Sequence, residues 1–346
     1  MGRSFWCGNP LHQQIGSVNA SLSLTLVTER WPIRGSFAIS RGAKTEAVVL
    51  VAELSDGRAR GRGECVPYAR YGESVESVTQ AIENMRPELE RGIHRNALQG
   101  AMPPGAARNA LDCALWDLEA KRTVRPVQEL AALAALHPVT TAYTISLAEP
   151  AEMARAAERA ASRTLLKIKL GADGDPARIR AVRASAPRAT LIVDANEGWN
   201  ESNLAINFDA CEEAGVALVE QPLPQGHDDA LARMTRRLPV CADESVHDRT
   251  SLSALAGKYD AVNIKLDKAG GLTEALAMVA EAERRNLTIM VGCMVATSLA
   301  MAPAILPAQK ARFVDLDGPL LLEKDRADGL RYADSLVYPP SPSLWG

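Results

Sequence analysis

Five charged residues end five consecutive hydrophobic runs in the second half of the 346-residue chain: Lys169, Asp194, Glu220, Asp243 and Lys265. Their successive separations are 25, 26, 23 and 22 residues, the spacing of a repeated strand-plus-helix unit. Carboxylates at the ends of three neighbouring strands would converge on one point and repel one another unless a cation lay between them. One such carboxylate is as readily a helix N-cap, but a cap does not explain three in successive units. With no His or Cys among them, Asp194, Glu220 and Asp243 form an all-oxygen ligand set that favours Mg²⁺ over zinc and is compatible with Mn²⁺.

The lysines on either side suit acid–base chemistry. In a closed ring of eight strands, strands two and six stand on opposite walls, so Lys169 and Lys265 would face each other across the cation. That arrangement fits removal of a proton from one face of a carbon and its return to the other, with the metal holding a substrate carboxylate and stabilising the enediolate. Lys167 lies two residues before Lys169 and points the same way along a strand. Repulsion between the two, together with the metal, is expected to lower the Lys169 pKa.

The elements that must position these residues are legible as a change of texture. Residues 21–63 alternate in strand fashion with a turn at Ser55, Asp56 and Gly57, and helical periodicity follows over 74–91 and 106–121. After Pro138 come eight short β-branched runs, 142–146, 165–170, 189–194, 216–220, 239–243, 261–266, 287–292 and 312–317, most of them followed by an Ala, Glu and Arg-rich stretch. An open doubly wound sheet would begin with a glycine-rich nucleotide turn, and none follows Ser146. The expected fold is therefore an α/β protein: a (β/α)7β TIM-like barrel over 139–318 with an N-terminal α+β capping domain over 21–138. The tail 319–346, rich in Pro, Asp and Leu, is expected to fold back on the capping domain in place of an eighth helix. Residues 1–20 read as a loosely ordered lead-in.

Composition narrows the partners. Lys and Arg number 39 against 42 Asp and Glu, a formal charge of -3 that offers no basic field for nucleic acid. No apolar run approaches a membrane span, and the start lacks a signal-peptide pattern. Six scattered cysteines without a CxxC pair fit reduced thiols in the cytoplasm. A homo-oligomer is compatible with all of this.

Lys167-Ile168-Lys169, Asp194-Ala195-Asn196, Glu220-Gln221-Pro222, Ala242-Asp243-Glu244-Ser245 and Asn263-Ile264-Lys265-Leu266-Asp267-Lys268 resemble the enolase superfamily, specifically its muconate-lactonising subgroup. Asp315-Leu316-Asp317 draws the resemblance towards dipeptide epimerases of the L-Ala-D/L-Glu type. The resemblance implies a Mg-dependent isomerase that epimerises the α-carbon of a dipeptide's C-terminal residue, with Lys169 taking the proton from the L centre. It implies that Asp315 and Asp317 hold the free α-amino group, and that Thr144, Cys293 and Met294 line the substrate pocket with Lys167. A capping loop over 30–46 would close the mouth, with Lys44 where relatives tend to carry an Arg that grips a glutamate side chain. Asn196 and Glu244 would support the metal ligands from behind, Glu244 by pairing with a lysine. Cell-wall peptide recycling is the pathway this implies.

Cycloisomerisation and o-succinylbenzoate synthesis run on the same barrel in relatives, but their substrates carry no ammonium for Asp315 and Asp317. A catalytically silent binding homologue would have lost some of this set. His247 reads as a surface or capping group, and Gly270-Gly271 fits a tight turn as well as a phosphate site.

Overall fold

A computed structural model describes residues 21–346; the expected lead-in and Cys7 lie outside them. The first domain opens with an antiparallel meander of Ser23–Ile39, Gly42–Ser55 and Arg60–Cys65. Helices Val75–Glu83, Arg86–Glu90, Arg95–Ala101 and Ala106–Thr123 follow. The periodicity over 74–91 is thus two helices, because Pro87 cannot continue the first and instead sits in the opening turn of the second. Strand Arg60–Cys65 lies so close to helix Ala106–Thr123 that a Cβ on Gly63 would come within 2.0 Å of the Ala110 carbonyl oxygen. Only glycine allows that approach.

The expected capping loop over 30–46 is the tip of a β-hairpin. Strands one and two stay paired to Ile39 and Gly42, with an irregularity between Pro32 and Phe37. Pairing resumes at Phe37 and carries the tip out over the barrel, where Ser40 reaches the Asn196 carbonyl.

All eight expected barrel strands form, in sequence order around a parallel sheet: Tyr143–Ile145, Leu165–Lys169, Thr190–Asp194, Val216–Glu220, Val240–Ala242, Ala261–Lys265, Thr288–Gly292 and Phe313–Asp315. A parallel bridge between Thr141 and Val314 joins the first to the last. The strands are shorter than the hydrophobic runs, which leaves Asp243 one residue beyond strand five and Asp317 at the N-cap of a following helix.

One residue per unit fills the barrel: Ala142, Leu165, Ile192, Leu218, Cys241, Ala261, Met290 and Phe313. Two positions further along each run, strand alternation returns the side chain to the interior. Those positions are Thr144, Lys167, Asp194, Glu220, Asp243, Asn263, Gly292 and Asp315. The apolar plug thus ends where a polar layer begins.

No regular eighth helix follows strand eight; Gly318–Leu321 has four residues. The tail divides between two surfaces rather than returning to the capping domain alone. Hairpin Tyr332–Ala333 and Leu336–Val337 pairs with Val139–Thr140 at the foot of the barrel. The last residues then reach the capping helix, where the Trp345 indole donates to the Cys113 carbonyl at 3.0 Å and the Gly346 N–H to Asp117 at 2.7 Å. Among the described residues the five cysteines are free thiols, and no helix is long and apolar enough to cross a membrane.

Candidate active site

Asp194, Glu220 and Asp243 are buried and each offers a carboxylate oxygen within 4.8 Å of the others. Register aligns the first two, Asp194 opposite Glu220, while Glu220 pairs with Cys241 and so stands below Asp243. With Asp315 and Asp317, five buried carboxylates share the mouth with four buried lysines, 167, 169, 265 and 268. Three convergent buried carboxylates are an all-oxygen donor set that a divalent cation fits.

The lysines hold these acids in order. Lys167 Nζ lies 3.1 Å from Asp194, 2.7 Å from Glu220 and 2.8 Å from Asp315. Burial alone would lower its pKa, but these carboxylates raise it well above the usual lysine value. Its charge is thus already compensated where Lys169 stands. Lys169 and Lys265, each 2.6 Å from a carboxylate oxygen of Asp194 and Asp243 respectively, come from strands two and six as expected. Burial and the neighbouring Asp194 raise Glu220 to about 7, the behaviour of an acid that lacks a full counter-charge.

Asp315 and Asp317 are both buried at the mouth, but strand alternation does not account for the second. Asp317 stands at the N-cap position of the short helix, but its carboxylate turns to the Thr144 N–H, which it accepts at 2.6 Å. Burial and the adjacent Asp315 raise its pKa to about 7. Asp315 Oδ1 is buried without a hydrogen-bond partner among the described residues. Cys293 and Met294 follow strand seven and are partly exposed at the rim. Lys44 stays outside this buried cluster: it is exposed on the hairpin, its ammonium 5.1 Å from the centre of the Tyr68 ring.

Glu244 pairs with an arginine where a lysine was expected. Arg41 reaches down from the hairpin tip to 2.8 Å from Glu244 Oε1, and the Asn196 amide lies 3.5 Å from the same oxygen. Lys268 is instead spent on Asp243, at 2.5 Å from both its Oδ1 and its carbonyl. Asp267 turns the other way, accepting from Val66 N–H and Asn109 of the capping domain.

Asn263 carries a role not assigned from sequence. Its amide donates to Glu220 Oε1 at 2.7 Å and fixes that carboxylate. A Cβ at Gly292 would come within 2.6 Å of it, so the glycine makes room. Its place two residues before Lys265 was the signal. Gln221, left-handed at φ 35°, accepts the Asp243 and Ser245 N–H groups and ties the ends of strands four and five. His247 packs edge-on against Tyr71 at 4.9 Å, and burial lowers its pKa, so it is a neutral packing group. Gly270 packs against Arg108 and Gly271 against Asp112, side chains that a Cβ would strike, so both serve the domain seam.

A capped barrel with three convergent carboxylates between two opposed lysines defines the class of enzymes that abstract a proton beside a metal-held carboxylate. Residues 151–342 match the enolase C-terminal domain-like family, and residues 21–131 the N-terminal domain of mandelate racemase and muconate lactonizing enzyme. The chain belongs to the enolase superfamily. It is 46% identical over 306 residues to the L-Ala-D/L-Glu epimerase of Escherichia coli strain K12, covering 88% of this chain and 95% of the relative. It is 44% identical over 300 residues to an N-acetyl-D-glutamate racemase from Pseudoalteromonas, covering 86% and 95%. A solved enolase family member from Agrobacterium tumefaciens, with homology to dipeptide epimerases and with sodium and L-Ala-L-Glu bound, superposes with a TM-score of 0.93 at 55% identity, covering 94% of this chain and all of that one.

Proposed function

We propose that this protein is a Mg²⁺-dependent dipeptide epimerase that inverts the α-carbon of the C-terminal residue, with L-Ala-D/L-Glu as the leading substrate. The observation that carries the reading is the pair Lys169 and Lys265 on opposite barrel walls with the Asp194, Glu220 and Asp243 oxygens between them. Asp194, Glu220 and Asp243 would hold Mg²⁺, and when bound the cation supplies a carboxylate anchor and offsets the negative charge that develops as the α-proton leaves.

The chain's own groups do the rest. One lysine, neutral at Nζ, takes the α-proton, and the other, as ammonium, returns a proton to the opposite face; the two exchange protonation states in each turnover. Following the family resemblance, Lys169 serves the L centre. Asp315 Oδ1, free of other partners among the described residues, accepts from the substrate ammonium together with Asp317. Lys44, the hairpin cation at the rim, meets an acidic side chain on the substrate as a point charge. Asn196 and Glu244 act behind the ligands. A cytoplasmic role in recycling cell-wall peptides follows from the Ala-Glu reading.

The rival is racemisation of an N-acylated glutamate, favoured by the 44% identity to the Pseudoalteromonas racemase. Such a substrate has no ammonium for Asp315 and Asp317, which argues for the dipeptide. Deuterium incorporation from D₂O, read by mass spectrometry with Mg²⁺ present, separates them. Exchange into L-Ala-L-Glu that Lys169→Ala and Lys265→Ala abolish supports the epimerase; exchange into N-acetylglutamate alone moves the assignment to the rival.

A further inference from the structure

The turn after metal-ligand strand three is held from outside the barrel. Asn196 and Glu197 are consecutive non-glycine residues with left-handed φ of 45° and 66°, a backbone that persists only when its surroundings impose it. Here they do. The Asn196 carbonyl accepts from Ser40 Oγ at 2.8 Å and from Arg41 Nη1 at 2.8 Å, both on the hairpin tip. The Glu197 carboxylate, almost fully buried, takes Arg41 at 3.1 Å and a two-pronged contact from Arg70 at 2.8 and 2.7 Å. Arg70, like the hairpin, belongs to the capping domain.

The same turn orients a metal ligand. The Asn196 N–H donates to Asp194 Oδ1 at 2.9 Å, which leaves Oδ2 to face the mouth. Arg41 meanwhile binds Glu244, the neighbour of a second ligand, Asp243. One capping-domain side chain therefore touches the segments that carry two of the three carboxylates.

We infer that Arg41 is a positioning residue that links closure of the hairpin to the metal cage, so that cation binding favours the closed hairpin and the closed hairpin tightens cation binding. Linkage makes the two effects equal in size. The inference rests on the assignment of Asp194, Glu220 and Asp243 as ligands. It differs from substrate recognition, because Arg41 spends its guanidinium on barrel groups and the effect exists without substrate.

Mn²⁺ binding to the intact protein without substrate, followed by calorimetry, tests it, together with hydrogen exchange of residues 36–46. Arg41→Met is expected to weaken Mn²⁺ roughly tenfold, the usual cost of losing a partner behind a metal ligand. Arg41→Lys restores part of the affinity, and Mn²⁺ slows exchange of the hairpin tip in the wild type but not in Arg41→Met. Glu197→Gln, which weakens the anchor from the barrel side, gives the same loss and serves if Arg41→Met does not fold. Arg30→Met removes a hairpin arginine whose ion pair among the described residues is with Glu46 alone, and binds as the wild type does. Equal affinity in wild type, Arg41→Met and Glu197→Gln overturns the link while leaving the metal site intact. A wild type that binds no Mn²⁺ overturns the ligand assignment and the link with it.

Discussion

At the barrel mouth, Asp194, Glu220, Asp243, Asp315 and Asp317 are buried against lysines; at the seam between the domains, Glu64, Asp112 and Asp267 are buried against Arg108, Arg326 and backbone N–H groups. The seam acids are well served. Glu64 accepts from Thr297 N–H and hydroxyl and from Arg326 at 2.7 Å. Asp112 accepts from Thr273 N–H and hydroxyl and from Gln99. Of the six buried side-chain oxygens found without a hydrogen-bond partner among the described residues, five line the mouth, and four of these, Asn196 Oδ1, Glu244 Oε2, Asn263 Oδ1 and Asp315 Oδ1, are open, while the fifth, Glu220 Oε2, has the Lys167 ammonium at 2.7 Å. Buried charge with its lone pairs filled joins two domains; buried charge with lone pairs open awaits a ligand.

Substitutions can break this contrast. The largest effect is expected at the mouth: Asp243→Asn should abolish Mn²⁺ binding in calorimetry and lower kcat/KM at least a thousandfold, about 4 kcal/mol in transition-state stabilisation, while the protein stays folded. Retention of Mn²⁺ affinity would show that the mouth is not a metal cage. At the seam, Glu64→Ala leaves half-buried Arg326 with Glu29 as its remaining carboxylate partner and the Thr297 N–H and hydroxyl without their acceptor, and should cost about 3 kcal/mol of stability in urea unfolding, with kcat of the folded fraction little changed. A catalytic loss without destabilisation would erase the distinction.

The pH dependence sharpens it. Burial, with Glu73 and Glu64 nearby, raises Asp267 to about 7 against an ordinary value of 3.8. The folded state therefore keeps a proton that the unfolded chain releases, so this contribution to stability is full below the ordinary carboxylate value and lost as pH rises towards 7. Asp267→Asn removes the dependence, and its stability relative to wild type should improve by about 2 kcal/mol between pH 5 and 8. A gap that does not change with pH would place the Asp267 pKa at its ordinary value. The smallest effect is at the amino clamp. Asp317 must be ionised to hold an ammonium, so dipeptide binding should strengthen as pH rises through about 7, until the substrate amine loses its own proton near pH 8. Asp317→Asn should raise KM about tenfold and abolish the rise on the acidic side; an unaltered KM profile would remove Asp317 from the clamp.

Much of the site was legible because strand periodicity and barrel closure are one-dimensional rules. Lys169, Asp194, Glu220, Asp243 and Lys265 each end a run of hydrophobic residues, and a repeat of 22 to 26 residues can only bring such ends to one rim. Strand alternation does not place Asp317, because the strand ends at Asp315 and the Asp317 carboxylate is held by the Thr144 N–H. Arg41 could not be given its partner from sequence: it lies 203 residues from Glu244, and which cation neutralises which carboxylate depends on distances the chain order does not contain.

By itself, then, the sequence determined the eight-unit barrel, the capping domain and the convergence of five charged residues at one rim, because alternation and repeat length act locally. Only the tertiary structure decided how charge is shared: that Lys167 serves three acids at once, that Lys268 holds Asp243 while Arg41 takes Glu244, and that Asn263 fixes Glu220. Electrostatic pairing in a dehydrated cavity is set by ångström-scale separations between strands and domains, and those exist only once the barrel has closed.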